Sequence, residues 1–183
     1  MEQSLWRCEC GAVEADLPVN GARLICYCQS CRAFVERLNK ADRLDAAGGS
    51  DLLQVAPDRV SFRKGTDHLA WFQITQKGPL RWYTTCCGTP MANTLATRQV
   101  PFASFQAHDI SPAEHLPHVS GRVHLKGATD WVKEPKGRLL PLIMGFVGRA
   151  IKARLTGTWR KNPFFDEHGR PIAAQQKPEN VTG

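Results

Sequence analysis

The seven cysteines of this 183-residue chain fall into three tight groups. Cys8-Glu9-Cys10-Gly11 is a C-x-C-G; Cys26, Cys28 and Cys31 make C-x-C-x-x-C; Cys86-Cys87-Gly88 is a third. Thiolates at such spacing are metal ligands. Zinc takes four protein ligands when structural, and three plus an open position when catalytic. Seven cysteines divide as four and three. A glycine after a cysteine lets the backbone turn so that its amides approach the sulfurs. Cys8, Cys10, Cys86 and Cys87 are therefore expected to clamp one zinc and staple two distant hairpins together.

Cys26, Cys28 and Cys31 remain, with no local fourth cysteine. Three thiolates on Zn²⁺ carry a net charge of −1 and leave one coordination place. An incoming thiol would lose its proton there, or a small electrophile would be polarised. Two plainer readings compete. Cys is among the most buried residue types, and Cys26 and Cys28 would share one face of a strand; burial explains those two but not Cys31 or the other groups. A second structural zinc completed by a histidine is the other rival.

Composition sets the setting. The chain is 42% hydrophobic and 22% charged, which suits a folded globular protein and excludes a disordered one. Met1 to Trp6 lacks the basic-then-apolar pattern of a secretory signal. The longest apolar run, Leu139 to Val147, is broken by Pro141 and Gly145, and a membrane span needs about 20 residues. The expectation is a cytoplasmic protein in a reducing compartment, where clustered cysteines bind metal or do chemistry. Charge is uneven. Residues 131–183 hold ten Lys or Arg against four acids, a net +6 of the total +7.

The elements that must position the cysteines read mostly as short strands. "LWRCECGAVEADL" breaks at Gly11 as a hairpin would. "GARLICYC" leads into the trio, and "CRAFVERLNKA" reads as a short helix with Phe34, Val35 and Leu38 on one face. "DRVSFRKG", "HLAWFQITQKG", "PLRWYTTCCGTP" and "VPFASFQA" are further strands. Trp71, Phe72, Trp82 and Tyr83 within them are expected in the core. "SPAEHL" carries a capping box with Ser111 as N-cap and Glu114 at the third position. In the tail, Leu140, Met144, Val147, Ile151 and Leu155 recur at helical spacing, with Arg149, Lys152 and Arg154 on other faces. Packing of that stripe on the body is the base expectation. The division expected is residues 1–131 as a β body, 132–172 as a basic helical extension, and 173–183 as a disordered tail.

The combined pattern resembles the glutathione-dependent formaldehyde-activating enzyme family, which has centromere protein V among its relatives. C-x-C-G near the start, C-Y-C-x-x-C, a Cys-Gly-Thr turn near position 90, "PHV" at 117–119 and Trp131 carry the resemblance over roughly residues 5 to 131. It implies a β-tent fold of short antiparallel sheets with two zincs. Cys8, Cys10 and Cys87 would serve a structural ion, and Cys26, Cys28 and Cys31 a catalytic one. The implied activity joins glutathione and formaldehyde into S-hydroxymethylglutathione, or lyses such a carbon–sulfur bond. One position departs: the family's C-x-x-C-G would place a cysteine at Thr84, a poor zinc ligand, and adjacent Cys86 is the substitute.

Other residues suit the same chemistry. Of the six histidines, His108 beside Asp109 is the most suggestive base or ligand. Arg32, Arg81 and Asn93 suit a peptide-like carboxylate, with plain surface charge as the competing reading. Two function classes follow. One is a zinc-dependent carbon–sulfur lyase-like enzyme acting on a small thiol and a small aldehyde. The other is a non-catalytic zinc-stabilised binding module whose basic tail contacts a membrane or protein partner through a helix over 138–155. No motif that reads nucleic acid is present, so specific nucleic-acid binding is not expected.

Overall fold

The computed structural model describes residues 3–18, 20–132 and 139–176. Eleven strands among them form two sheets. The smaller contains β1 (Gln3–Arg7), β2 (Glu14–Pro18), β5 (Ser61–Lys64) and β10 (Ile110–Ser111), in the order β10-β1-β2-β5. The larger contains β3 (Ala22–Cys26), β4 (Ser50–Val55), β6 (Leu69–Phe72), β7 (Leu80–Thr84), β8 (Pro90–Thr94), β9 (Ala103–Gln106) and β11 (Val119–Val123). Its order is β11-β3-β4-β9-β8-β7-β6. All pairings are antiparallel except β11 with β3, which is parallel, so the expected purely antiparallel arrangement is a mixed one. Two helices complete the fold: α1 (Gln29–Glu36) and α2 (Leu139–Thr156).

Strand alternation gives the larger sheet two faces. One face meets the smaller sheet over a shared core, with Trp6, Val13 and Leu17 against Leu53, Trp82, Met91 and Phe105. The other face carries the helices. Phe34, Val35 and Leu38 of and just after α1 pack on Ala70, Phe72 and Tyr83. Leu24, Cys26, Leu52 and Cys31 form a third cluster, closed by Leu142 of α2. The trio therefore sits between a sheet face and two helices.

The tail differs from its expected arrangement in three ways. Phe164 is fully buried and stacks on Trp82 and Phe105, with ring centroids 4.9 and 5.9 Å away. Residues on both sides of position 131 thus share one core. Second, the stripe expected to pack faces outward: Leu140, Met144, Val147, Ile151 and Leu155 are all exposed. The helix instead buries Leu142 and Ala153, and sets the Phe146 ring 5.7 Å from Phe102. Third, the tail expected to be disordered is paired as far as residue 176. Trp71 donates its backbone amide to Ala174 and its Nε1 to Ala173, and accepts from Gln176. Residues 133–138 and 177–183, including Lys133, Lys136 and Arg138, lie outside the described residues.

The capping box does not start a helix. Ser111 ends β10 and bonds Leu5 through its Oγ, and only a single 3-10 turn, Ala113–His115, follows. No helix of the described residues is long and apolar enough to cross a membrane.

Candidate metal centres

The first group is built from two turns on different sheets. Cys8 and Cys10 lie in the β1–β2 turn, and Cys86 and Cys87 in the β7–β8 turn. Gly11 and Gly88 adopt left-handed backbone angles, φ of 74° and 67°, which only glycine takes without strain. Each turn thereby doubles back and aims its sulfurs at the other. All four Sγ atoms lie within 4.8 Å of one another. Neighbouring separations are 3.6 Å for Cys8–Cys10, 3.3 Å for Cys10–Cys86 and 3.8 Å for Cys86–Cys87. Sulfurs about 2.3 Å from a tetrahedral ion would stand about 3.8 Å apart, so the set can hold a metal ion with little adjustment.

The surroundings of these sulfurs suit thiolates. Val13 N–H donates to Cys8 Sγ at 3.2 Å, and the Thr84 and Thr89 hydroxyls lie 3.4 and 3.1 Å from Cys87 Sγ. Burial pushes the Cys87 thiol up, but hydrogen bonds from Thr84, Thr89 and Cys10 together more than offset it, and it settles at about 6. Burial raises Cys8 and Cys86 in the metal-free chain. Thr84, the position where the resemblance expects a ligand, is thus a hydrogen-bonding partner of Cys87, and Cys86 stands in the ligand group. Between the two cysteines of the first turn, Glu9 pairs with Lys40 and Arg43, and Arg43 also bonds Asp109. This ties the turn to the segment after α1.

The second group is Cys26, Cys28 and Cys31, whose sulfurs also lie within 4.8 Å of one another. Cys26 ends β3. Cys28 is not on that strand; it is the N-cap of α1, and its Sγ accepts the Cys31 amide at 3.3 Å. That geometry replaces the reading in which Cys26 and Cys28 are strand neighbours buried side by side. One helical turn then brings Cys31 back over Cys28. Hydrogen bonding from Cys26 holds the Cys28 thiol well below the usual range. Among the described residues no histidine or carboxylate joins either sulfur group.

Arg81 closes this group on one side. It is 3% exposed. It donates to Ser30 Oγ at 2.6 Å, Asn93 Oδ1 at 2.8 Å and Cys31 Sγ at 3.6 Å, and lies over the Phe34 ring. Arg81 and Asn93, expected to bind a carboxylate, bond each other. Arg32 holds the Gly127 carbonyl and pairs with Glu36. His108 is exposed, 3.7 Å from an Asp109 that Arg43 engages, and belongs to neither cysteine group.

The trio borders an open cleft of about 1460 Å³ that sequence reasoning did not find. Ser104 and Arg122 line it beside Arg81 and Asn93, and α2 supplies a wall through Leu142, Ile143 and Phe146. Nothing in the local sequence marks these positions, because they meet only through the sheet order β11-β3-β4-β9-β8.

No curated protein matches the sequence. A crystal structure of a Rhodobacter sphaeroides protein is similar at 16% identity, covering 59% of this chain and 88% of that one, with a TM-score of 0.44; at that level the likeness carries no argument. The family model of unknown function DUF6151 matches residues 3–176, and the chain belongs to that family.

Proposed function

We propose that this protein is a two-zinc, carbon–sulfur lyase-like enzyme that joins a thiol to a small aldehyde such as formaldehyde, on a β-tent scaffold. The observation that carries the reading is the contrast between the two sulfur groups. Four sulfurs surround one centre, whereas three border an open cleft with no fourth protein donor among the described residues. The resemblance of the cysteine spacing to the formaldehyde-activating enzymes supports the thiol and aldehyde.

When bound, zinc supplies Lewis acidity that keeps a thiol deprotonated at neutral pH. The chain's own residues supply the rest. Cys26, Cys28 and Cys31 hold the ion, and the α1 backbone fixes Cys28 through the Cys31 amide. Arg81 offsets the excess negative charge of three thiolates inside a buried setting, where an unpaired guanidinium would be costly. Leu142 packs beside Cys26 and Cys31 and gives the sulfurs an apolar neighbour. The test is to incubate the purified protein with glutathione and formaldehyde and follow adduct exchange by NMR. Exchange is expected to fall to background in Cys28→Ser; a variant as fast as the parent would refute the role of the trio.

A second reading is favoured by the outward apolar stripe of α2. In it the protein is a zinc-stabilised module that docks on an anionic membrane surface. Helix α2 has no acidic residue, and Lys152 and Arg154 stand exposed beside the stripe. A second copy would bring those cations together unbalanced, whereas anionic lipid neutralises them.

A further inference from the structure

The cleft beside the trio is much larger than a small thiol needs. Ligand pockets for drug-sized molecules span roughly 300–1,000 Å³, and this one is about 1460 Å³. Its floor and one wall are apolar: Leu24, Leu52, Phe102, Leu142, Ile143 and Phe146. Its polar lining is one-sided in charge. Arg122 and Lys126 stand along it with Arg81, and among the described residues no Asp or Glu lines it. Arg81 is committed to the sulfurs and Arg122 gives part of its guanidinium to the Tyr27 hydroxyl, which leaves Lys126 and the rest of Arg122 for a ligand. Lys126 is exposed and makes no ion pair among the described residues, and a guanidinium beside it adds a planar set of donors for an anionic acceptor.

We propose that the cleft binds an amphipathic thiol: a sulfur for the Cys26–Cys28–Cys31 centre, an alkyl or aryl chain for the floor against α2, and an anionic group for Arg122 and Lys126. This rests on the reading of the trio as a thiol-binding centre and adds the substrate class. A short hydrophilic thiol would leave the floor in water. A chain lying on it removes both apolar surfaces from water at once, and each sheltered methylene strengthens binding about fourfold.

Calorimetric titration of the metal-loaded protein with mercaptopropionate, mercaptoundecanoate and undecanoate tests this. The two thiols share their end groups and differ only in chain length. Mercaptoundecanoate is expected to bind about a hundredfold tighter than mercaptopropionate, which three or four sheltered methylenes suffice to give; undecanoate binds more weakly than mercaptoundecanoate. Equal affinities for the two thiols overturn the apolar subsite while leaving the thiol centre standing. Undecanoate matching mercaptoundecanoate removes the thiol from both readings, and no binding by any of the three overturns the proposal. Phe146→Ser is expected to cut the chain-length advantage about tenfold with mercaptopropionate unaffected. Because Phe146 is only half-buried, this variant is expected to keep its fold. Arg122→Gln with Lys126→Gln is expected to weaken mercaptoundecanoate, and a double variant that binds it as the parent does would strike out the anionic contact.

Discussion

The guanidinium of Arg81 donates to the Cys31 sulfur at 3.6 Å, and among the described residues no carboxylate pairs with it. A charge this deeply buried needs a counter-charge. The thiolates of the trio are the nearest source, so the arginine and the sulfur centre stabilise each other. Arg81→Met keeps most of the aliphatic stem and removes the charge. Metal affinity at the trio is expected to fall at least about tenfold, with the four-cysteine group unchanged. Competition with a chromophoric chelator reads both sites, and Arg81→Lys is expected to recover part of the loss.

Metal content separates the two centres. The parent is expected to hold two ions per chain by elemental analysis. Cys86→Ser should retain one, lost from the four-cysteine group, together with a lower Tm. Cys28→Ser should also retain one, with a smaller change in Tm, because the trio does not join the two sheets. A Cys86→Ser protein that still carries two ions would show that Cys86 is not a ligand.

Thr84 makes a finer test. Its hydroxyl lies 3.4 Å from Cys87 Sγ and accepts the Thr89 amide at 3.2 Å. Thr84→Val preserves shape and deletes both contacts. Outer partners of metal ligands are worth about 10- to 100-fold in affinity, so the closed group should weaken by that range. The Cys87 thiol should also titrate higher, because one of the two hydroxyl contacts that lower it is gone. Ultraviolet thiolate absorbance of the metal-free protein against pH measures the shift, and an unshifted curve would contradict it.

The outward stripe of α2 predicts a lipid response. Met144→Asp with Ile151→Asp should abolish co-sedimentation with vesicles rich in phosphatidylserine while leaving Tm nearly unchanged, since both side chains are exposed. Raising salt should weaken the parent's binding through screening. Equal binding to neutral and anionic vesicles would remove the electrostatic part of this reading.

Residues after 160 are as much part of the core as the strands. Phe164→Ala is expected to cost about 3–5 kcal/mol in urea unfolding, because three aromatic rings lose their partner at once. A loss below 1 kcal/mol would place the segment outside the cooperative unit.

How far the sequence could be read differs from element to element. The cysteine groups were legible because thiol clustering is rare and each group stands beside a turn or a cap that brings its sulfurs together. Strands rich in Val, Phe and Trp were equally plain. β8 was not, since "PMANT" has little strand propensity and is buried by its neighbours, with Asn93 and Thr94 satisfied by Arg81 and Trp82. Helix α2 was foreseen, but its orientation was not. It carries apolar residues on two sides, and periodicity reveals both without saying which one meets the body. The cleft was illegible for a related reason: Ser104, Arg122 and Leu142 are neighbours only through strand order and the seat of α2.

The clasp between the β1–β2 and β7–β8 turns draws on positions 76 residues apart, as Cys10 and Cys86 are. During synthesis, the first pair leaves the ribosome long before the second exists. The amino-terminal pair must therefore stay reduced and unclaimed while nearly half the protein is made, and only then can the two sheets be locked. A metal ion held by all four sulfurs would thus be captured only once the β7–β8 turn exists, with the residues after Cys87 still to be made.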